Sequence, residues 1–225
     1  MKNIILQHYD GTLGLLENLS IENIQNYASS IGADYQLIIG KPFRNRLTAP
    51  CQKVFMLDKS FDDWDNVLML DIDMFTPKYM VQDVFNEVGV GIYTSPWQHM
   101  LHRRIVSEHP DHASMDSPYW GGAIYKMSRD LRISLREHLG GNERWMKPFN
   151  KKFNYEDEGI MHVLATRANI TLDNAYLDRK WSQCSYLPNP ETAGFVHIRT
   201  RAVPNGPHKN KIDNYHDLKH NGIFA

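Results

Sequence analysis

The sequence predicts an α/β sandwich built around a mostly parallel sheet. Three observations carry that reading. Short apolar runs, "NIILQHY" (3–9), "YQLIIG" (35–40) and "NVLMLD" (66–71), recur along the chain and read as buried strands. Stretches between them space their apolar residues as helices do, and several close on glycine. Strands and helices alternate, and that alternation packs helices over a largely parallel sheet.

The elements follow in order. After the first strand, Ser20 can cap a helix through "SIENIQNYASSIG", with Gly32 as its stop. Pro50 suits the first turn of a helix over "CQKVFMLDKS". The strand "NVLMLD" follows, and Thr76 and Pro77 then open a predicted helix through "KYMVQDVFNEV", closed by Gly89. "VGVGIYT" is a fourth strand. "PWQHMLHRRIVSEHPDHASMDSP" shows little periodicity and reads as a long loop with one short helix. "YWGGAIYKMS" is a strand entered through a glycine pair. Ser128 caps "RDLRISLREHL", which Gly140 and Gly141 end. "NYEDEGIMHVLATRAN" is a helix, "ITLDNAY" a strand and "AGFVHIRT" the last strand. The tail after it is polar and turn-rich. No repeat or low-complexity linker interrupts the chain, so residues 1–225 read as one domain.

Composition narrows the function classes. Hydrophobic residues make up 42% and charged residues 23%, which is ordinary for a globular chain. With 25 Lys+Arg against 26 Asp+Glu the net charge is -1, which argues against a general nucleic-acid binder. Cys51 and Cys184 are the only cysteines. They suit a reducing compartment and offer no disulfide framework or cysteine zinc site. The opening apolar run is too short for a signal peptide or membrane span. The expectation is a soluble, cytoplasmic protein.

"VLMLDIDMF" (67–75) carries the chemistry. Asp71 and Asp73 stand one residue apart at the end of an apolar strand. In open α/β sheets ligands sit beyond the carboxyl ends of the strands. Two carboxylates there are hard oxygen ligands suited to Mg²⁺ or Mn²⁺, and such an ion can clamp a diphosphate as a leaving group. Read alone, the triplet also fits a turn or cap.

"NVLMLDIDMFTP" resembles the DxD segment of the GT-A glycosyltransferases, enzymes that use a nucleotide sugar and a metal. Three further segments fall in that family's order. "SPYWGGAIYKMS" resembles the strand lining the donor and acceptor cleft, where a small pair, here Gly121 and Gly122, lets sugar approach the backbone. "NYEDEGIMHVL" resembles the acidic pair beside the transferred sugar, here Asp157 and Glu158. "GFVHIRT" with "NGPHKNK" resembles the strand-His segment and basic loop of glycogenin-like and bacterial galactosyltransferase-like members. The likeness covers roughly residues 1 to 211. It is nearest to the N-terminal glycosyltransferase domain of chlorella-virus enzymes that build capsid glycans, which also admits further enzyme domains in a longer polypeptide. The chain departs from the pattern in three places. The basic loop lacks a Lys-Pro-Trp ending. His197 is distant from the Gly-Pro turn, which makes His208 a rival ligand. The acidic pair is Asp-Glu where the family has Asp-Gln.

The resemblance implies a GT-A three-layer sandwich that moves a hexose or deoxyhexose, glucose- or rhamnose-like, from a UDP-sugar to a glycan acceptor, in host cytoplasm if viral. Asp71, Asp73 and His197 would hold Mn²⁺ or Mg²⁺, with Asp71 also open to the ribose. Tyr9 would stack on uracil and Asp10 would bond its edge. Lys53, with Arg44 and Arg46 nearby, would meet phosphate or donor sugar, and Lys209 the diphosphate. Lys211 would meet the diphosphate too, or reads equally as a solvated tail residue. Trp120 would line the acceptor site or pack in the core. The histidines at 99, 102, 109 and 112 lack ligand spacing and read as loop residues. A strand-end His with a Lys-bearing tail resembles the retaining branch, where Asp157 or Glu158 would steady charge at the anomeric carbon. Two rival classes remain. A nucleotidyltransferase would carry a basic Gly-rich loop after its first strand, which "HYDGTLGLLENLS" lacks. A non-catalytic carbohydrate-binding domain would not need Asp71, Asp73 and Asp157 together.

Overall fold

The computed structural model describes residues 1–93, 96–139, 156–200 and 210–225. Its elements are β1 (Asn3–Tyr9), α1 (Leu15–Ser30), β2 (Asp34–Ile39), a 3-10 helix (Pro50–Leu57), β3 (Asn66–Leu70), β4 (Met74–Phe75) and β5 (Gly91–Ile92). They continue with α2 (Pro96–Glu108), β6 (Gly121–Ser128), α3 (Arg129–Glu137), α4 (Glu156–Arg167), β7 (Gln183–Cys184), β8 (Val196–His197) and α5 (Lys211–His220).

The main sheet runs β2-β1-β3-β6-β5. β2 and β3 flank β1 in parallel, while β6 is antiparallel to both β3 and β5. Four strands therefore point one way and β6 the other. The reversal has a consequence for function. The start of β6 lies at the same edge as the ends of β1 and β3, and the Asp71 N–H donates to the Ala123 carbonyl at 3.0 Å.

Both faces of the central strands are buried, so they are largely apolar. Ile4, Leu6, Val67, Met69, Tyr125 and Met127 point to one layer, against Val54 and Leu57 of the 3-10 helix and Ile160, Val163 and Leu164 of α4. Ile5, Leu68, Leu70 and Ile124 point to the other, against Ile24, Tyr27 and Ala28 of α1 and against Trp181 and Phe195. A small second sheet, β4-β8-β7, adjoins this layer. Phe75, Val196, Ile198, Tyr215, Leu218 and Phe224 form a third cluster that docks α5 on it. No helix of the described residues is long and apolar enough to cross a membrane.

Several predicted elements differ. α1 starts five residues before Ser20, which is buried within it and donates to the Met74 carbonyl at 2.7 Å. Glu17 instead accepts from the Gly14 N–H at the helix start. The predicted helix over 78–88 is absent apart from one 3-10 turn at Val84–Asn86. Met74 and Phe75 pair with β8, and the Lys78 N–H donates to the Ile223 carbonyl. Tyr79 and Val81 are exposed, so no apolar helical face forms there. The one short helix expected in the middle loop is α2, which is 13 residues long. Its buried positions, Gln98, Leu101, His102 and Ile105, have helical spacing, but two are polar, which hides the stripe. "ITLDNAY" forms turns with a single bridge, Gly91 to Tyr176, and Asn169 and Asn174 have positive φ. The tail ends in α5, capped by Asn210 Oδ1 accepting from the Asp213 N–H. The predicted stop at Gly140 and Gly141 lies outside the described residues.

His102, expected in a loop, lies in the core beside His162 of α4. Their rings are 4.6 Å apart, and His102 stacks on Tyr119. Tyr93 O–H donates to His102 Nδ1, and His102 Nε2–H donates to the Ser114 carbonyl. His162 Nδ1–H donates to the Pro118 carbonyl at 2.9 Å, and its buried Nε2 has no partner among the described residues. A second proton there would be charged, buried and unpaired. Burial pushes His162 down to about 4. A depressed histidine contributes stability above its unfolded pKa of about 6.5, lost as pH falls toward 4. The wild type should therefore lose roughly 3 kcal/mol through this residue between pH 7 and pH 4. Urea midpoints measured across that range should fall more steeply for wild type than for His162→Gln. Equal slopes would exclude His162 as a source of acid sensitivity.

Candidate active site

The site lies where the carboxyl ends of β1 and β3 meet the start of β6 and the second sheet. Asp71 is the first residue past β3, and Asp73 precedes β4 by one position. Met74 pairs with His197 across the β4–β8 ladder, which brings the imidazole beside the two carboxylates. The Ile198 N–H donates to the Asp73 carbonyl at 2.9 Å and holds that register. A two-residue strand thus joins His197 to aspartates more than a hundred positions earlier.

The ligand atoms of Asp71, Asp73 and His197 all lie within 4.8 Å of one another. Ligands placed about 2.1–2.5 Å from one ion can be at most about 4–5 Å apart, so the cluster can hold a single divalent cation. Two carboxylates and an imidazole suit Mn²⁺ better than Mg²⁺, which prefers oxygen alone. His197 Nε2 is 3.0 Å from Asp73 Oδ1 and 3.8 Å from Asp71 Oδ2. Lys211 Nζ pairs with the other oxygen of Asp73. Burial works to raise the Asp73 carboxyl, but His197 and Lys211 outweigh it and hold the acid well below its usual range.

The second group is organised by Lys53. Its ammonium is buried and reaches Asp71 Oδ1 at 2.7 Å, Asp157 Oδ2 at 2.9 Å and the Gly122 carbonyl at 2.5 Å. Burial opposes the charge, yet Asp157 and Asp71 outweigh it and raise the lysine above its ordinary value. All three ammonium hydrogens are engaged. The expected contact of Lys53 with phosphate or sugar would require breaking one of these bonds.

Asp157 and Glu158 lie in the first turn of α4, where the dipole favours acids. Other bonds hold each of them. Tyr125 O–H donates to Asp157 Oδ2 at 2.9 Å. Tyr119 O–H donates to Glu158 Oε2 at 3.0 Å, and the Gly122 N–H donates to Oε1 at 2.9 Å. Burial and the charge on Asp71 raise the Asp157 carboxyl against the pull of Lys53. Burial, reinforced by Asp157, pushes Glu158 up to about 7, although Gly122 and Tyr119 hydrogen-bond it. Gly122 cannot be larger, because a Cβ there would lie 2.7 Å from Asp157 Oδ2. At Gly121 it would lie 2.0 Å from Gln98 Nε2.

Asp71, Asp73, His197, Lys53, Asp157, Glu158, Gly121 and Gly122 line one cleft of about 610 Å³ with Tyr9, Asp10 and His8. Asp10 forms a 3.6 Å ion pair with Lys41. Arg44 and Arg46 do not line it. Trp120 is fully buried, and its Nε1–H donates to the Ala175 carbonyl, so it packs the core and does not face the cleft. Lys209 and His208 lie outside the described residues. Trp97, Tyr186 and Arg199 line the cleft but were not singled out by sequence reasoning. Tyr119 and Tyr125 were missed as holders of the acid pair, although they bracket the glycine pair in "YWGGAIY".

This architecture, a mixed sheet between helical layers with a carboxylate cluster at its strand ends, is the GT-A fold. Similar solved structures share it across nearly their whole length. One is a glycosyltransferase involved in the glycosylation of the major capsid of PBCV-1. It is 13% identical, with 97% of this chain and 100% of that chain covered, at a TM-score of 0.59. Another is the galactosyltransferase LgtC in complex with donor and acceptor sugar analogues. It is 11% identical, with 99% of this chain and 97% of that chain covered, at a TM-score of 0.53. An active-site mutant of LgtC matches at 11% identity and a TM-score of 0.53, covering 96% of this chain and 95% of that one. No protein-family model matches the chain, and no curated protein matches it.

Removing one partner from a buried ion pair leaves a charge uncompensated, at a cost of about 3–5 kcal/mol. Lys53→Met should lose stability in that range by urea denaturation. Adding Asp157→Asn to it should recover a large part. A loss below about 1 kcal/mol would put Lys53 among weakly coupled surface pairs.

Proposed function

We propose that this chain is a metal-dependent glycosyltransferase that moves a hexose or deoxyhexose from a UDP-sugar to a glycan acceptor with retention of configuration. The observation that carries the reading is the convergence of Asp71, Asp73 and His197 beside the Asp157–Glu158 pair in one cleft. Those three residues would hold Mn²⁺ or Mg²⁺, which when bound neutralises a diphosphate and stabilises it as a leaving group. The GT-A fold supports the donor class. We extend the acceptor to a capsid glycan, by analogy with the PBCV-1 glycosyltransferase, and treat residues 1–225 as one catalytic domain acting in the host cytoplasm.

The remaining roles follow from positions in the cleft. Tyr9 and Asp10, at the end of β1, take the uracil. Lys53 aligns Asp71 and Asp157, and so acts on the donor through them. Lys211, already paired with Asp73, takes the diphosphate charge that the sequence reading offered to Lys209 and Lys211. In the transfer, the bond from the anomeric carbon to the diphosphate oxygen breaks, and its electron pair leaves with UDP. The acceptor oxygen bonds that carbon on the same face and gives its proton to the departing diphosphate. Asp157 and Glu158 steady the positive charge that develops on the sugar. Glu158, titrating near 7, would be fully ionised only on the alkaline side of neutrality.

A panel of UDP-sugars incubated with glycan acceptors tests this. UDP release should require Mn²⁺ or Mg²⁺ and stop with chelator. Asp73→Asn should lower turnover by several orders without unfolding the chain. NMR of the first-formed product should show the donor's anomeric configuration. An inverted product would recast Asp157 or Glu158 as a general base. Pyrophosphate release from UTP and a sugar phosphate would favour a nucleotidyltransferase. Sugar binding without turnover, indifferent to metal, would favour a carbohydrate-binding domain.

A further inference from the structure

The cleft continues past the acid pair, and its far end is built from different residues. The order β1-β3-β6-β5 puts the end of β1 and the end of β5 three strand spacings apart, about 14 Å at ~4.8 Å each. Tyr9 and Asp10 occupy the β1 side. Asp71, past β3, and Gly121 and Gly122, opening β6, lie between. α2 begins just past β5 and carries Trp97 at that opposite end. Its neighbour Gln98 is fixed, with Nε2–H donating to the Ile92 carbonyl at 3.3 Å.

Trp97 lines the cleft yet is 63% exposed, whereas Trp120 and Trp181 are fully buried. Leaving a large aromatic in water forgoes the stabilisation that burying it would bring. Tyr186, 42% exposed, lines the same cleft with Arg199 and Ser182. The cleft wall thus carries two open aromatics together with the hydrogen-bonding groups of Arg199, Ser182 and Glu158. Such a surface fits a ring that is apolar on its faces and polar at its rim. A pyranose has that character.

We propose that Trp97 and Tyr186 form the acceptor subsite, which holds a pyranose by its C–H face while Arg199 and Ser182 meet its hydroxyls. The assignment rests on the function proposed above for what occupies the rest of the cleft. The uridine and diphosphate would take the β1 side and the carboxylate cluster. The transferred sugar would lie against Gly122 and the acid pair, and the next ring would reach Trp97. This puts the acceptor platform on Trp97 at the start of α2 and leaves the buried Trp120 to its core reading.

Saturation-transfer NMR on the full chain, with Mg²⁺, UDP and a panel of methyl glycosides of hexoses, deoxyhexoses and pentoses, tests the subsite. At least one glycoside should receive saturation from the wild type. Trp97→Ala should reduce that signal about tenfold, as loss of an aromatic anchor does, and Trp97→Phe should keep most of it. Tyr186→Ala should weaken it as well. The UDP signal in the same tube reports separately on the donor reading and on folding of each variant. A wild type that saturates no glycoside, or a glycoside signal unchanged in Trp97→Ala, would overturn the subsite. So would loss of the UDP signal alone in folded Trp97→Ala, since it would make the indole a platform for the base. Glycoside binding that depends on Trp97 in a protein that ignores UDP would uphold the subsite and remove the donor assignment.

Discussion

One buried ammonium holds the site together. Lys53 comes from the 3-10 helix beneath the cleft, Asp71 from the end of β3, Gly122 from the start of β6 and Asp157 from the first turn of α4. Its three bonds, all between 2.5 and 2.9 Å, join these four stretches of chain at one point. Taking a cation out of water is costly, and only well-placed anions offset it. Without the ammonium, Asp71 and Asp157 would face each other across a dry gap, and one would take up a proton. The same requirement explains Gly122. Its carbonyl accepts from Lys53 and its N–H donates to Glu158, so the backbone must pass too close for a side chain.

The metal cluster depends on a different device, which is strand pairing. Asp71 and Asp73 are local to each other, but His197 reaches them only because β4 pairs with β8. The cavity then gathers Asp10, Asp71, Asp73, Glu156, Asp157 and Glu158 against Lys53 and Arg199. That excess of negative charge in a partly buried cleft attracts cations, and the pairing of Lys211 with Asp73 shows the attraction acting within the chain. Because Lys53 takes one oxygen of Asp71 and leaves the other toward His197, the structural lysine also orients a ligand for an ion. The Asp71–Asp73–His197 cluster and the acid pair are therefore coupled mechanically through one residue.

The central strands were legible in the sequence because burial on both faces demands uninterrupted apolar runs, as in "NVLML". Asp71 and Asp73 stood out against such a run, and His197 marked the end of another. α2 was hidden because Gln98 and His102 occupy half of its buried face. The pair Met74–Phe75 was absorbed into a predicted helix, since two residues carry no period and their partner lies far along the chain. Trp120 and Trp97 have the same side chain, and only the fold separates a core indole from one in the cleft. The role of Lys53 was illegible for a similar reason: a lysine on a helix reads as surface until its two carboxylates are placed. Lys211 read as tail because α5 carries few apolar residues, and those it has pack on the second sheet.

The central claim is that the Asp71–Asp73–His197 cluster binds a divalent ion that in turn holds a diphosphate. Calorimetric titration of UDP into the protein, with Mn²⁺ and again with excess chelator, tests it most directly. The account predicts clear saturable binding with Mn²⁺ and a loss of most of that affinity under chelation. Equal affinity in the two titrations would contradict it.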